Sequence, residues 1–203
     1  MTTTLKSVTL GLAGIGAAGM LCANPIDQIR PDAPALAPYG DHVIGVQTLE
    51  FTHAGQVDIL NTTADNAPTY DRPLTVEVWY PAATGTEPGG EYVTTLRDGK
   101  RQATLTGRAA RDAAPVEDAL FPLIVISHGY PGNRFLMSHL GENLASKGYV
   151  TVSIDHTDST YSDKGAFGST LLNRPIDQRF VIDSMASLNG PLGAIIDGDT
   201  VGV

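Results

Sequence analysis

Cysteine is almost absent: Cys22 is the single one among 203 residues. A disulfide framework is therefore excluded whatever the compartment. Basic residues are also scarce, 13 Lys and Arg against 22 Asp and Glu, for a formal charge of −9. Nucleic-acid binding needs a cationic face to neutralise phosphates, so no nucleic-acid partner is expected. No apolar run reaches the roughly 20 residues that a helix needs to span a bilayer, and no stable membrane span is expected. Histidines are few and dispersed, with His42, His53 and His139 in unrelated segments. The short run Asp155-His-Thr-Asp158 alone is weak as a ligand set, so neither a metal nor a cofactor is expected. What remains is an ordinary globular composition, 42% hydrophobic and 17% charged, sufficient for one sizeable core.

The first residues have the layout of a targeting segment. Lys6 precedes an apolar, Gly/Ala-rich stretch from Val8 to Ala23. A signal peptide over residues 1–23 is the expectation, with export to the periplasm or the exterior. A lipid anchor on Cys22 is the alternative, and the bulky Leu21 before it is unfavourable. Gly14-Ile-Gly16-Ala-Ala-Gly19 has dinucleotide-binding spacing. That motif works only at a strand-to-helix turn, where a helix N-terminus meets a pyrophosphate, and Pro25 would interrupt the helix. Residues 24–44, rich in Pro, Ala and Asp, read as an extended lead-in.

From residue 45 onward the periodicity becomes informative. Gly45 to Phe51 is a strand candidate, and Leu74-Thr-Val-Glu-Val-Trp-Tyr80 alternates as a half-buried strand does. Tyr92–Leu96 and Gln102–Leu105 flank Asp98-Gly99, the signature of a hairpin turn. Pro122 to Ser127 is a short continuous apolar run, the mark of a strand buried on both faces. Leu136, Leu140 and Leu144 predict a helix with one apolar face, stopped by Gly148. Tyr149 to Ile154 is another buried strand, and residues 155–173 read as a long polar loop. A second helix is predicted from about Pro175 to Leu188, carrying Phe180, Val181 and Met185. Thr200 to Val203 opens a third buried strand. Alternating strand and helix predict an α/β fold with a doubly wound, mostly parallel sheet over residues 45–203.

The stretch that carries chemistry is Ser127-His-Gly-Tyr-Pro-Gly-Asn133, at the carboxyl end of a buried strand. Ligands of open α/β sheets bind at such ends. A glycine-rich turn there brings main-chain N–H groups close to a ligand. Pro131 has no N–H, so the donors of the turn are Tyr130, Gly132 and Asn133. The plainer reading is a tight connection with Asn133 as helix N-cap.

Four pieces together, Val78-Trp-Tyr-Pro81, Ser127-His-Gly-Tyr-Pro-Gly132, Leu144-Ala-Ser-Lys-Gly-Tyr149 and Val152-Ser-Ile-Asp-His156, carry a family resemblance. The sequence resembles the first half of serine esterases related to platelet-activating factor acetylhydrolase and dienelactone hydrolase, within the α/β-hydrolase superfamily. Its layout is also similar to bacterial cutinase-like polyesterases. The resemblance implies a carboxylic ester hydrolase that works through an acyl-enzyme on lipid-like or small acyl esters. It implies that the Tyr130 amide is an oxyanion-hole donor, that His128, Gly129 and Gly132 support the loop, and that Asn133, His156 and Asp158 lie on the pocket rim. The family nucleophile sits in G-x-S-x-G, and no such motif occurs here. Ser127, Ser138, Ser153, Ser169 and Ser184 all lack that context. Nucleophile, acid and base are therefore expected outside this chain, which is expected to end before the nucleophile elbow and to be inactive alone. His128 is expected to brace the loop, and His156 to be a hydrogen-bonded loop histidine near Asp155 and Asp158. The alternative from another class is a non-catalytic binding protein, or an inactive fragment, that kept the fold. The oligomeric state stays open.

Overall fold

The computed structural model describes residues 29–203. The proposed signal segment and the glycine motif at residues 14–19 lie outside the described residues. The alternating pattern around Leu74 does become a strand, and it is long. β1 (Ile44–Val57) runs antiparallel to β2 (Thr69–Pro81), in register from Ile44 with Pro81 to Val57 with Thr69. The Asp98-Gly99 turn joins β3 (Gly90–Thr95) to β4 (Gln102–Gly107), with Gly99 at φ +71°. A left-handed φ suits glycine, which has no Cβ to clash. The two-residue β5 (Ala110–Arg111) extends the main sheet beside β1.

The second half alternates strand and helix: β6 (Phe121–Ser127), α1 (Ser138–Ala145), β7 (Val150–Asp155), α2 (Phe167–Ala186) and β8 (Ile196–Gly202). The main sheet has the order β5-β1-β2-β7-β6-β8, and three of its five pairings are parallel. This is the doubly wound, mostly parallel sheet that the alternation predicts.

Side-chain alternation along β2 builds a core on each face. Leu74, Val76, Val78 and Tyr80 join Val150, Val152 and Ile154 of β7 and Val181 and Met185 of α2. Trp79 points the other way, into a cluster with Ile44, Val46, Tyr92, Phe135 and Ala145 of α1. The two helices thus cover opposite faces, as a doubly wound sheet requires.

Both helices depart from expectation. α1 buries Gly141, Glu142 and Ala145, while Leu136 and Leu140 are exposed. The reason is close approach: a Cβ on Gly141 would lie 2.5 Å from the Trp79 ring, so only glycine lets the helix settle on that indole. Gly148 does end this turn, at φ +88°. α2 begins at Phe167, eight residues before Pro175, which sits inside it. A proline there forfeits one backbone hydrogen bond, and buried Asp177, two residues on, ties the helix to Arg72 and His156. The polar loop is correspondingly short, residues 156–166. Among the described residues, no helix is long and apolar enough to cross a membrane.

Candidate active site

The winding direction picks out one place in the sheet. β6 has β7 on one side and β8 on the other, and the connecting helices lie on opposite faces. The chain therefore reverses direction at β6, and a crevice opens at the carboxyl end of that strand. The loop beginning at His128 occupies this point.

His128 is buried, and burial pushes its pKa down to about 4, so the ring is neutral at pH 7. The His156 N–H donates to its Nε2 (3.4 Å), which places the proton on Nδ1, 2.7 Å from the Gly129 carbonyl oxygen. Arg174 of α2 reaches the same turn. Its guanidinium donates to the His128 carbonyl oxygen, to the Gly129 carbonyl oxygen (2.8 Å) and to Ser159 Oγ (2.8 Å). The 3.3 Å approach of Arg174 Nη2 to His128 Nδ1 sets one donor against another and is a contact rather than a bond.

The Tyr130–Pro131 peptide is cis, and the Tyr130 hydroxyl donates to the Gly165 carbonyl while its ring meets Phe167 edge-on at 5.1 Å. Among the described residues, the Tyr130 N–H has no hydrogen-bond acceptor. Gly132 differs from expectation as a donor. Its N–H is bonded to the Ser159 carbonyl (3.1 Å) and its carbonyl accepts from Tyr161 N–H (2.9 Å), so it stitches the turn to the 156–166 loop. Gly129 is exposed, with open space where a Cβ would stand.

Behind the turn lies a buried relay. The Ser127 hydroxyl is 2.9 Å from His156 Nε2, and His156 Nδ1 is 2.9 Å from Asp177 Oδ2. Asp177 is also gripped by Arg72, at 2.8 Å to Nε and 3.0 Å to Nη2. β2 runs antiparallel to β7, so its early residue Arg72 lies past the carboxyl end of β7, beside Asp177. Burial opposes ionisation of Asp177, yet the bonds from His156 and Arg72 prevail and hold its carboxyl below the ordinary range. Burial lowers the pKa of His156, partly offset by Asp177. A neutral His156 then donates through Nδ1 to Asp177 and accepts from Ser127 through Nε2, the connectivity of a Ser-His-Asp triad.

The remaining sequence candidates sort differently from expectation. His156 does not stand on a rim: its side chain is fully buried, because β7 carries it under the turn. Its carboxylate is Asp177 rather than Asp155 or Asp158. Asp155 binds the Arg134 backbone N–H (2.6 Å) and its guanidinium. Asp158, at φ +67°, is paired with Arg72 at 3.0 Å and keeps only a partly exposed edge. Asn133 lines a polar cavity of about 100 Å³ with Thr94, Arg134, Asp155 and Thr160. Its side chain is nevertheless buried and committed, donating to Thr94 Oγ1 (2.7 Å) and the Thr95 carbonyl and accepting from the Phe135 N–H. Asn133 thus clamps the turn to β3. His53 stacks on Phe180 and His42 meets Phe121, both far from this chemistry in role.

Arg72, Arg174 and Asp177 were not anticipated. A faint signal existed: Arg174 and Asp177 are three apart, hence neighbours on one helix face. It was hidden by starting the helix at Pro175.

The sequence model of the family described as platelet-activating factor acetylhydrolase, isoform II, matches residues 75–177, just over half of the chain. No curated protein matches. A solved structure, the ferulic acid esterase from Streptomyces cinnamoneus, is similar with 26% identity and a TM-score of 0.62. The match covers 85% of this chain and 53% of that one, so this chain spans about half the length of that esterase.

Proposed function

Because the chain belongs to the platelet-activating factor acetylhydrolase isoform II family, we propose that it forms part of a serine-type carboxylic ester hydrolase. The substrate class is a lipid-like or small acyl ester, and the route is an acyl-enzyme. The observation that carries this reading is the unpartnered Tyr130 N–H in a braced turn at the switch point of the sheet. When an alkoxide attacks an ester carbonyl, charge moves onto the carbonyl oxygen. A fixed N–H aimed at that oxygen stabilises the tetrahedral state more than the ground state, by about 3 kcal/mol for one donor. This chain contributes that donor and its scaffolding, and the nucleophile belongs to a G-x-S-x-G elbow that its sequence does not contain. The esterase activity in the name of the Streptomyces ferulic acid esterase fits the same site chemistry. Export through the N-terminal segment is part of this proposal.

A second reading takes Ser127 itself as the nucleophile, on the strength of its relay to His156 and Asp177. Two features disfavour it. A general base must also pass its proton to the leaving group, and His156 has no exposed surface. Asp177 is already neutralised by Arg72, which weakens its pull on the imidazolium that would form. The relay reads better as a tie between β6, β7 and α2.

The test is labelling with a fluorophosphonate probe, alongside hydrolysis of p-nitrophenyl acetate, of a full-length protein that includes the G-x-S-x-G elbow. Wild type and S127A should both be labelled and active. Loss of labelling in folded S127A would transfer the nucleophile to Ser127. An unlabelled, inactive wild type would favour a non-catalytic member of the fold.

A further inference from the structure

We propose that Arg174 is the positioning residue for the oxyanion donor, acting through the carbonyl side of the very peptide that carries it. The inference rests on the hydrolase reading above. The Gly129 carbonyl and the Tyr130 N–H belong to one peptide unit. That unit is planar and trans, so its C=O and N–H point in opposite directions. Whatever holds the Gly129 oxygen therefore aims the Tyr130 hydrogen. Two donors hold it: Arg174 Nη2 at 2.8 Å and His128 Nδ1 at 2.7 Å. The other arm of the guanidinium takes the His128 carbonyl oxygen, which turns the adjoining Gly129 N–H away from Arg174 by the same logic.

One planar fork thus holds two consecutive carbonyls and turns the two adjoining amides away from Arg174. Arginine suits this task because its two terminal nitrogens diverge in a fixed plane; a lysine ammonium would serve as a point donor. Donation into a carbonyl also polarises its peptide and strengthens the opposite N–H as a donor. Ser159 accepts a further bond from Arg174 (2.8 Å), and its own carbonyl receives the Gly132 N–H, so guanidinium and turn share one frame. Glycine at 129 is exposed and has no side chain to pin the turn from its outer side, which leaves the carbonyl side as the handle. The hydrogen bonds of the Arg174 guanidinium fall on the turn and on Ser159.

The experiment compares R174M and R174K with wild type in a full-length protein that includes the G-x-S-x-G elbow. It measures kcat and KM on p-nitrophenyl acetate, inhibition by an alkyl trifluoromethyl ketone, whose serine adduct carries an oxyanion, and thermal melting. R174M should lower kcat by roughly 10- to 100-fold, less than deleting a donor outright, with KM changed by no more than about two-fold. The trifluoromethyl ketone should weaken by the same factor, and R174K should fall between the two. R179Q, on the exposed side of α2, should leave kcat unchanged. If R174M melts below the assay temperature, R174K decides, because it keeps the stem and the charge. Folded variants that retain wild-type kcat, or that lose kcat without losing ketone affinity, overturn the proposal while the hydrolase reading stands. A wild type inert to substrate and ketone alike overturns both.

Discussion

Three carboxylates are buried among the described residues, Glu77, Glu142 and Asp177, and the last two are satisfied in opposite ways. Glu142 of α1 is 3% exposed and has neutral donors around Oε1: the Tyr92 hydroxyl at 2.5 Å and the backbone N–H groups of Arg108 and Ala109 at 2.9 and 3.1 Å. Trp79 Nε1 in turn donates to Tyr92 (2.9 Å). Asp177 of α2 is fully buried and is met by a guanidinium and an imidazole. The first arrangement fastens the β3–β4 hairpin to α1. The second binds strand ends and helix together directly behind the 128–132 turn, using residues that can change charge. Polar burial builds a joint at one end of the molecule and a working frame at the other.

The largest test of this contrast is D177A. It strands the Arg72 guanidinium in the interior and should destabilise the fold by about 3–5 kcal/mol, measured by denaturant unfolding. Acid should come next and act on the same frame. His128 and His156 have folded pKa values below their unfolded ones, so the unfolded chain binds more protons as pH falls below about 6.5. Stability should therefore decline from pH 6.5 toward about 4, by at most roughly 1.4 kcal/mol per unit for each histidine. The carboxyl of Asp177 is shifted in the same downward direction, so its contribution is lost too, at still lower pH, as it becomes protonated. Melting temperatures across pH 4–8 should show this slope, and H128N should flatten it. A slope that survives in H128N and H156N alike would place the acid sensitivity elsewhere.

E142Q should cost less, about 1–2 kcal/mol, because the amide oxygen still accepts from Tyr92 and the two backbone N–H groups while the charge is lost. It should leave the pH slope unaltered. A change of slope in E142Q would erase the distinction between the two clusters. Least of all, R179Q removes an exposed i, i+4 pair with Asp183 and should shift stability by under about 0.5 kcal/mol.

Legibility followed the range of the interactions. The hairpin at Asp98-Gly99, the strands around Leu74, Val125 and Val152, and the stop at Gly148 depend on neighbours in sequence, and all were readable as periodicity and turn chemistry. The face of α1 was misread because three leucines at helical spacing outweighed one glycine, whereas the Trp79 ring across the interface required the glycine. The turn at 128–132 was readable as a place for main-chain donors. Which amides are free was not: the one at Gly132 is consumed by Ser159, and that bond exists only once the 156–166 loop folds back.

The sequence by itself determined an α/β sheet, its strand segments and a glycine-rich turn at a strand end, since these follow from side-chain alternation and backbone freedom over a few residues. Only the tertiary structure decided that Arg72 meets Asp177 across 105 residues, that Ser127, His156 and Asp177 form a relay, and that Arg174 holds the turn across 45 residues. Charges find such partners where antiparallel and parallel strands set their ends side by side, and no local pattern encodes that meeting.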